Sequence, residues 1–196
     1  MCHFRAAIHM MPQFSMEVLL AKEALLPLSG TYYQAMAIKL IEAGHECDAL
    51  HELAWEPITS NAEAAALFDT AARQFSIPRP SQDEAVSTLV RYHAEQITKE
   101  NSDPHAELER MMNEVYWPEV SKHQSSAFVG DSHDMEEFVG AYWNYDDLRD
   151  SPDVVGYNGL YGQEAILAFD QHVRTLARQW LERHTEPANH SHSIPL

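Results

Sequence analysis

Apolar residues recur along this chain with the spacing of an α-helix. In residues 31–43, for example, they fall at positions i, i+3, i+4, i+7 and i+8, on one helical face. No segment of useful length alternates apolar and polar residues as a β-strand does. The pattern predicts a short helix over 48–55 and longer helices over 15–26, 31–43, 61–75, 82–99, 104–116, 131–148 and 163–183. These segments predict an all-α fold, an irregular helical bundle of about seven helices.

Residues typical of helix ends support these boundaries. Ser81 and Glu84 have the spacing of a capping box, which contributes about 1 kcal/mol to helix initiation. Asp103 and Pro104 supply an N-cap and a first-turn proline for the next helix. Gly44 stands where a left-handed C-cap belongs. We therefore expect these helices to begin and end for local chemical reasons.

The strongest break in the helical pattern is Ile77-Pro78-Arg79-Pro80, because proline cannot continue a helix. It divides a single helical domain, 15–184, into two candidate subdomains, 15–76 and 81–184. Residues 1–14 form a leader of uncertain order, and Met10, Met11 and Met16 leave the translational start open. Residues 185–196 are predicted to be a flexible polar tail.

The chain is strongly acidic. It has 13 Lys and Arg against 30 Asp and Glu, a formal net charge of −17, and 12 His that would reduce it to −5 if all were protonated. Such a field repels nucleic acid and anionic membranes, and it favours basic proteins, polyamines or metal ions as partners. The alternative is that the acidity only keeps the protein soluble.

The remaining composition predicts a cytoplasmic protein. With only two cysteines, Cys2 and Cys47, the chain has neither a disulfide framework nor a four-ligand zinc site. The first residues do not have the pattern of a secretory signal, and no apolar run approaches the length of a membrane span. We expect no nucleic-acid or membrane partner and no cofactor.

One stretch carries a resemblance to other proteins. It reads Ala43-Gly44-His45-Glu46-Cys47-Asp48-Ala49-Leu50-His51-Glu52-Leu53-Ala54. Here the chain resembles a group of short bacterial proteins of unassigned function, in which a helix–loop–helix near the N-terminus ends in a similar run. Looser matches extend the similarity over most of residues 16–182. The resemblance implies an all-helical fold and no activity, and Cys47 stands where those proteins have a capping serine.

Several residue groups have types that could carry chemistry. Cys47 could lie at a helix N-terminus with His51 four residues later as a base, although a small capping residue is the alternative. The candidate metal-ligand groups are His45/Glu46 with His51/Glu52, His93 with Glu95, and His133/Asp134 with Glu137. None matches an established metal motif, and we interpret these groups as solvated helix faces, with no catalytic or metal residue assigned.

The segment 156–162 holds three of the seven glycines just before a helix. Its backbone amides could hold an anion at the helix N-terminus. However, no strand precedes it and no lysine follows it as in a phosphate-binding loop. A turn is the interpretation that the composition favours.

The most informative stretch is 131–153, which has eight acidic residues and one arginine, a net charge of −7. Aromatic residues of the kind found at interfaces are interleaved with these acids. The combination predicts a surface for a basic protein, formed by Asp134, Glu137, Tyr142, Trp143, Tyr145, Asp146 and Asp147. The alternative is that the aromatic residues belong to the core and the acids to a solvated face.

Three functions remain open at this point. We favour a non-enzymatic acidic helical module that binds a basic protein, as immunity or antitoxin-like proteins bind cationic nucleases. The first alternative is a metal-dependent enzyme whose His and carboxylate ligands lie within a helical bundle. The second is a homo-oligomeric structural or regulatory protein.

Overall fold

In the computed structural model of the protein, residues 15–122 and 132–184 are described. Within these ranges the chain forms eight α-helices: α1 (Met16–Leu25), α2 (Gly30–Glu42), α3 (Asp48–Trp55), α4 (Asn61–Gln74), α5 (Gln82–Thr98), α6 (Pro104–Met111), α7 (Glu136–Asp150) and α8 (Gly162–Arg183). The described residues contain no β-strand beyond an isolated bridge between Tyr157 and Leu160. The predicted all-α fold is confirmed. The leader 1–14 and the tail 185–196 lie outside the described residues.

The predicted helix caps are present. The Glu84 carboxylate accepts hydrogen bonds from the backbone N–H and the hydroxyl of Ser81, at 2.7 and 2.8 Å. The Asp103 carboxylate accepts one from the backbone N–H of Ala106 at 3.1 Å. Gly44 has a φ of +90°, a conformation that glycine adopts without strain, and ends α2 as predicted. None of the described helices is long and apolar enough to cross a membrane.

The described residues form two compact units, and the division between them lies after Leu89, within α5. The sequence predicted the division at Ile77-Pro78-Arg79-Pro80, and in the structure the division lies downstream of that segment. In the first unit, α1 to α4 share one apolar core, whose fully buried residues include Leu19, Leu40, Leu50, Leu53 and Phe68. Burial of each such side chain stabilises the fold by about 1.5–3 kcal/mol.

Arg79 attaches the proline-rich segment to the helices of the first unit. Its guanidinium lies 2.6 Å from the Asp69 carboxylate of α4 and 3.0 Å from the Glu23 carboxylate of α1. Glu23 also accepts a hydrogen bond from the Tyr33 hydroxyl at 2.5 Å. These contacts hold a segment that has no helical hydrogen bonds of its own.

The second unit packs α7 against α8 and α6. Tyr145 of α7 is fully buried. Its ring packs edge-on against the Phe169 ring with centroids 4.7 Å apart, and its hydroxyl donates a hydrogen bond to the Asp170 carboxylate at 2.7 Å. Arg174 of α8 is also buried. Its guanidinium donates to the carbonyls of Ile97 and Ser102 at 2.7 and 2.8 Å.

The acidic helix begins later than the sequence predicted. We expected a cap at Asp131 or Ser132, but Asp131 lies outside the described residues and α7 begins at Glu136. The backbone at His133 and Asp134 has φ values of 61° and 55°, which a right-handed helix cannot accommodate. The Trp180 indole N–H donates to the Asp134 carbonyl at 3.0 Å and holds this turn against α8.

The helix predicted over 104–116 changes its hydrogen bonding before it ends. Regular α-helix ends at Met111, and Met112–Tyr116 forms one turn of π-helix. The backbone N–H of Trp117 donates to the Met112 carbonyl at 2.9 Å, a bond that spans five residues. A single π-turn of this kind inserts one extra residue into the helix and is frequent at functional sites.

Arg174→Met should destabilise the protein by about 2–4 kcal/mol, because it leaves the carbonyls at the end of α5 without their donor. Urea denaturation followed by far-UV circular dichroism measures the free energy of unfolding. Arg178→Met is the matched control, since Arg178 is exposed on the same helix, and it should change that free energy by less than about 0.5 kcal/mol. Equal effects of the two substitutions would contradict this role of Arg174.

Candidate functional site

An exposed aromatic pair lies on the second unit. Trp117 follows the π-turn, Trp143 belongs to α7, and 44% and 49% of their surfaces remain exposed. Their ring centroids are 6.2 Å apart with planes at 74°, an edge-to-face contact. Tyr142 packs edge-on against Trp143 with ring centroids 5.3 Å apart, and Tyr116 packs edge-on against Trp117 with centroids 4.6 Å apart. Four aromatic rings are therefore in successive contact.

Acidic residues flank Trp143 on the exposed side of α7. Glu136, Asp147 and Asp150 lie seven positions before, four after and seven after Trp143, and all are exposed. Because each helical residue turns about 100°, these three side chains lie within about 40° of Trp143 around the helix. We call Trp117, Glu136, Trp143, Asp147 and Asp150 the acidic aromatic face.

Arg149 is the only basic residue of α7, and it lies on a different side of the helix. It is six positions from Trp143, about 120° away around the axis. Burial and then the Arg149 charge lower the pKa of His105 on α6, which indicates that Arg149 faces α6. The carboxylates of the acidic aromatic face therefore have no cation of their own helix beside them.

The structure separates the seven residues predicted for the partner surface. Trp143 and Asp147 belong to the acidic aromatic face, and Tyr142 and Asp146 lie half-buried at its edge. Asp134 and Glu137 lie apart from it, where the Arg183 guanidinium contacts both carboxylates at 3.1 Å. The assignment of Tyr145 to the surface was wrong, because its side chain is fully buried and lies in the core.

Sequence reasoning missed three residues of this face. Trp117 is remote in sequence and meets Trp143 only in the folded unit. Glu136 and Asp150 had a visible signal, since both lie seven positions from Trp143 and a seven-residue step nearly completes two turns.

His93, Glu107, Arg110 and Glu114 form a charged cluster at the π-turn, which we call the buried cluster because His93 and Glu107 are buried. His93 of α5 is 1% exposed, with Nδ1 2.7 Å from a Glu107 oxygen and Nε2 3.1 Å from a Glu114 oxygen. Arg110 also forms an ion pair with Glu107. Only the doubly protonated imidazolium can donate to both carboxylates at once. The arrangement therefore favours a positively charged ring.

The pKa values of this cluster are shifted in opposite directions. Burial disfavours the charged His93 ring, but the hydrogen bonds and charges of Glu107 and Glu114 outweigh it and raise the pKa of His93 above its usual value. Burial likewise disfavours the Glu107 carboxylate, but His93 and Arg110 outweigh it and lower the pKa of Glu107. Both shifts therefore favour the charged forms, the imidazolium of His93 and the carboxylate of Glu107.

The buried cluster positions part of the acidic aromatic face. Glu114 lies in the middle of the π-turn, and Trp117 follows directly after that turn. The extra residue in the turn shifts all following side chains by about 100° around the axis. The His93–Glu114 bond therefore supports the segment that brings Trp117 against Trp143.

The metal and thiol candidates are not assembled into a site. His93 contacts Glu107 and Glu114, whereas its predicted partner was Glu95. Among residues 15–122 and 132–184, no group of three or more His, Cys, Asp or Glu side chains is placed to hold a metal ion. Cys47 is the half-buried N-cap of α3 and its side chain makes no capping hydrogen bond. The metal-dependent enzyme stays a prediction.

The glycine-rich segment 156–162 already uses three of its backbone amides. Tyr157 and Leu160 donate to each other's carbonyl at 3.0 and 2.9 Å, and Gly162 donates to the carbonyl of Pro152 at 2.9 Å. These N–H groups cannot also bind an anion. The segment is a hydrogen-bonded turn, the interpretation that its composition favoured.

His93→Gln should destabilise the protein by about 3 kcal/mol near pH 6, since it removes the imidazolium that pairs with both Glu107 and Glu114. The raised pKa of His93 gives stability that is complete below its usual value of 6.5 and is lost as pH rises through the folded value. The lowered pKa of Glu107 gives stability that is present above 4.5 and is lost as pH falls through its folded value. Urea denaturation across pH should therefore show the largest effect between 4.5 and 6.5.

His51→Gln is the control for this pH series, because His51 is exposed on α3. It should change the free energy of unfolding by less than about 0.5 kcal/mol at every pH. An effect of His93→Gln that does not shrink from pH 6 to pH 9 would contradict a charged His93.

Comparison with known proteins does not assign this chain to a family. No family model matches the chain, and neither a curated protein nor a solved structure matches it. The resemblance to short bacterial proteins around Cys47 stays a prediction.

Proposed function

We propose that this protein binds a basic protein partner through the acidic aromatic face, as immunity or antitoxin-like proteins bind cationic nucleases. The observation that carries the proposal is Trp143, half-exposed on α7 and flanked by Glu136, Asp147 and Asp150. A large exposed indole costs hydration free energy in a monomer, and burial against a partner removes that cost. Tryptophan is also among the residues most enriched at binding hot spots.

Charge and aromatic surface would have different roles in such a complex. A net charge of −17 attracts a cationic protein over a distance of about 10 Å, the Debye length at 0.1 M salt, and speeds encounter. The two indoles then supply contact area that salt does not screen. The proposal therefore requires both a salt-dependent association and a tryptophan-dependent complex.

The dimensions of the face are compatible with part of a protein interface. α7 has 15 residues and is therefore about 22 Å long. A standard interface buries about 800 Å² on each partner, which is more than one helical face provides. A partner would therefore also cover Trp117 and the residues beside it.

The protein is further proposed to be cytoplasmic, since two cysteines suit a reducing compartment.

Removing three charges from the acidic aromatic face should abolish this binding. The variant Glu136→Gln/Asp147→Asn/Asp150→Asn replaces three exposed carboxylates by isosteric amides. Affinity capture from a native lysate, eluted with increasing salt, should return a basic protein with the wild-type chain and at least about tenfold less with this variant.

The control variant removes the same number of charges from the first unit. Glu42→Gln/Glu46→Gln/Glu52→Gln changes three exposed carboxylates on α2, α3 and the turn between them. It should capture as much basic protein as the wild-type chain. The proposal fails if capture yields no basic protein, or if both triple variants lose it equally, since the latter would indicate a general effect of net charge.

A second candidate, self-association, is favoured by apolar residues around the start of α8. Val154, Tyr161 and Leu167 are 80%, 57% and 56% exposed. Exposed apolar residues of this size occur at subunit interfaces. Multi-angle light scattering tests this candidate: Leu167→Glu should convert a dimer to a monomer, and a monomeric wild-type protein would exclude it.

A further inference from the structure

We infer that the Trp117–Trp143 pair receives an arginine side chain of the basic partner, with Asp147 and Asp150 as its counter-charges. This inference rests on the proposed function and specifies the chemical group that the acidic aromatic face recognises. It concerns the aromatic pair, whereas the proposed function requires only a basic partner.

The two indoles have the electrostatic character that attracts a cation. The face of an indole carries negative potential, and tryptophan is the aromatic residue that attracts cations most strongly. In the edge-to-face contact of Trp117 and Trp143, with centroids 6.2 Å apart, the edge of one ring meets the other ring. Close to half of each residue remains exposed, so part of each indole is accessible to a cation.

Carboxylates lie on the same side of α7 as Trp143. Asp147 lies four residues after Trp143, one helical turn away on the same side, and Asp150 lies seven residues after it. A cation stacked on Trp143 would therefore have carboxylates within one to two turns along the helix. Burial and then the charges of Asp146 and Glu109 raise the pKa of the neighbouring Tyr142, so further carboxylates lie near this ring.

Three cations of the second unit already have carboxylate partners. Arg110 pairs with Glu107, and Lys122 pairs with Glu119 at 3.2 Å. Arg183 pairs with Asp134 and Glu137 at the start of α7. The indoles and the carboxylates beside them can therefore together bind a cation of another molecule.

Arginine suits this geometry better than lysine. The guanidinium is planar, is less strongly hydrated than an ammonium, and can stack on an indole while its edge donates two parallel hydrogen bonds to a carboxylate. The lysine ammonium is a compact point charge that gains less from the ring. A basic partner should therefore present arginine at this face.

Fluorescently labelled hexa-arginine and hexa-lysine peptides test this inference against the full chain at low ionic strength. Fluorescence anisotropy should show that hexa-arginine binds at least about threefold more tightly than hexa-lysine. Trp143→Leu should weaken hexa-arginine binding by about 3- to 30-fold and leave hexa-lysine binding nearly unchanged. Trp143→Phe should retain a preference for arginine, since it keeps an aromatic ring.

Trp55→Leu is the matched control. Trp55 of α3 is 65% exposed and lies with Glu52 and Glu56 along one groove of the first unit, so it is another tryptophan beside carboxylates. Its replacement should leave hexa-arginine affinity unchanged. Circular dichroism of each variant shows whether its helix content is retained, and Trp143→Phe provides the test if Trp143→Leu unfolds.

The outcomes separate this inference from the proposed function. Equal affinity for both peptides, no effect of Trp143→Leu, or an equal effect of Trp55→Leu overturns the inference. If the triple carboxylate variant of α7 still loses the basic protein in the capture experiment, the proposed function survives that result. Failure of hexa-arginine to bind also overturns the inference, whereas the proposed function depends on capture alone.

Discussion

The buried contact of His93 with Glu107 and Glu114 is the interaction on which the second unit most depends. It joins α5, α6 and the π-turn through one imidazole ring that has almost no contact with solvent. A single buried carboxylate would lose several kcal/mol of hydration without compensation, and so would a single buried imidazolium. Together they remain charged, because each supplies the field and the hydrogen bonds that the other requires.

This contact lies at the irregular end of α6, because Glu114 is in the middle of the π-turn. The extra residue of that turn gives the side chains within and after it directions that a regular α-helix would not give them. The π-turn over Met112–Tyr116 moves the carboxylate into place. The same turn brings Trp117 to Trp143, so a buried electrostatic requirement and an exposed aromatic pair have one structural origin.

Two arginines join segments beyond helix ends to other helices, Arg174 through backbone carbonyls and Arg79 through carboxylates. Arg174 donates to carbonyls at the end of α5, and Arg79 attaches a segment that contains two prolines to α1 and α4. In both cases a planar guanidinium with several donors makes contacts that a lysine ammonium could not make together. Both arginines therefore have structural roles.

The sequence by itself determined the helices and most of their ends, because the apolar period, the caps at Ser81 and Asp103, and Gly44 act over a few residues. It also determined that acids and aromatic residues concentrate on α7. Only the tertiary structure decided that Tyr145 is buried and Trp143 exposed, since both follow from how α8 packs against α7. The tertiary structure likewise paired His93 with Glu107 and Glu114, and Trp117 with Trp143. Such contacts join residues from different helices, and local sequence periodicity carries no information about which helical faces meet.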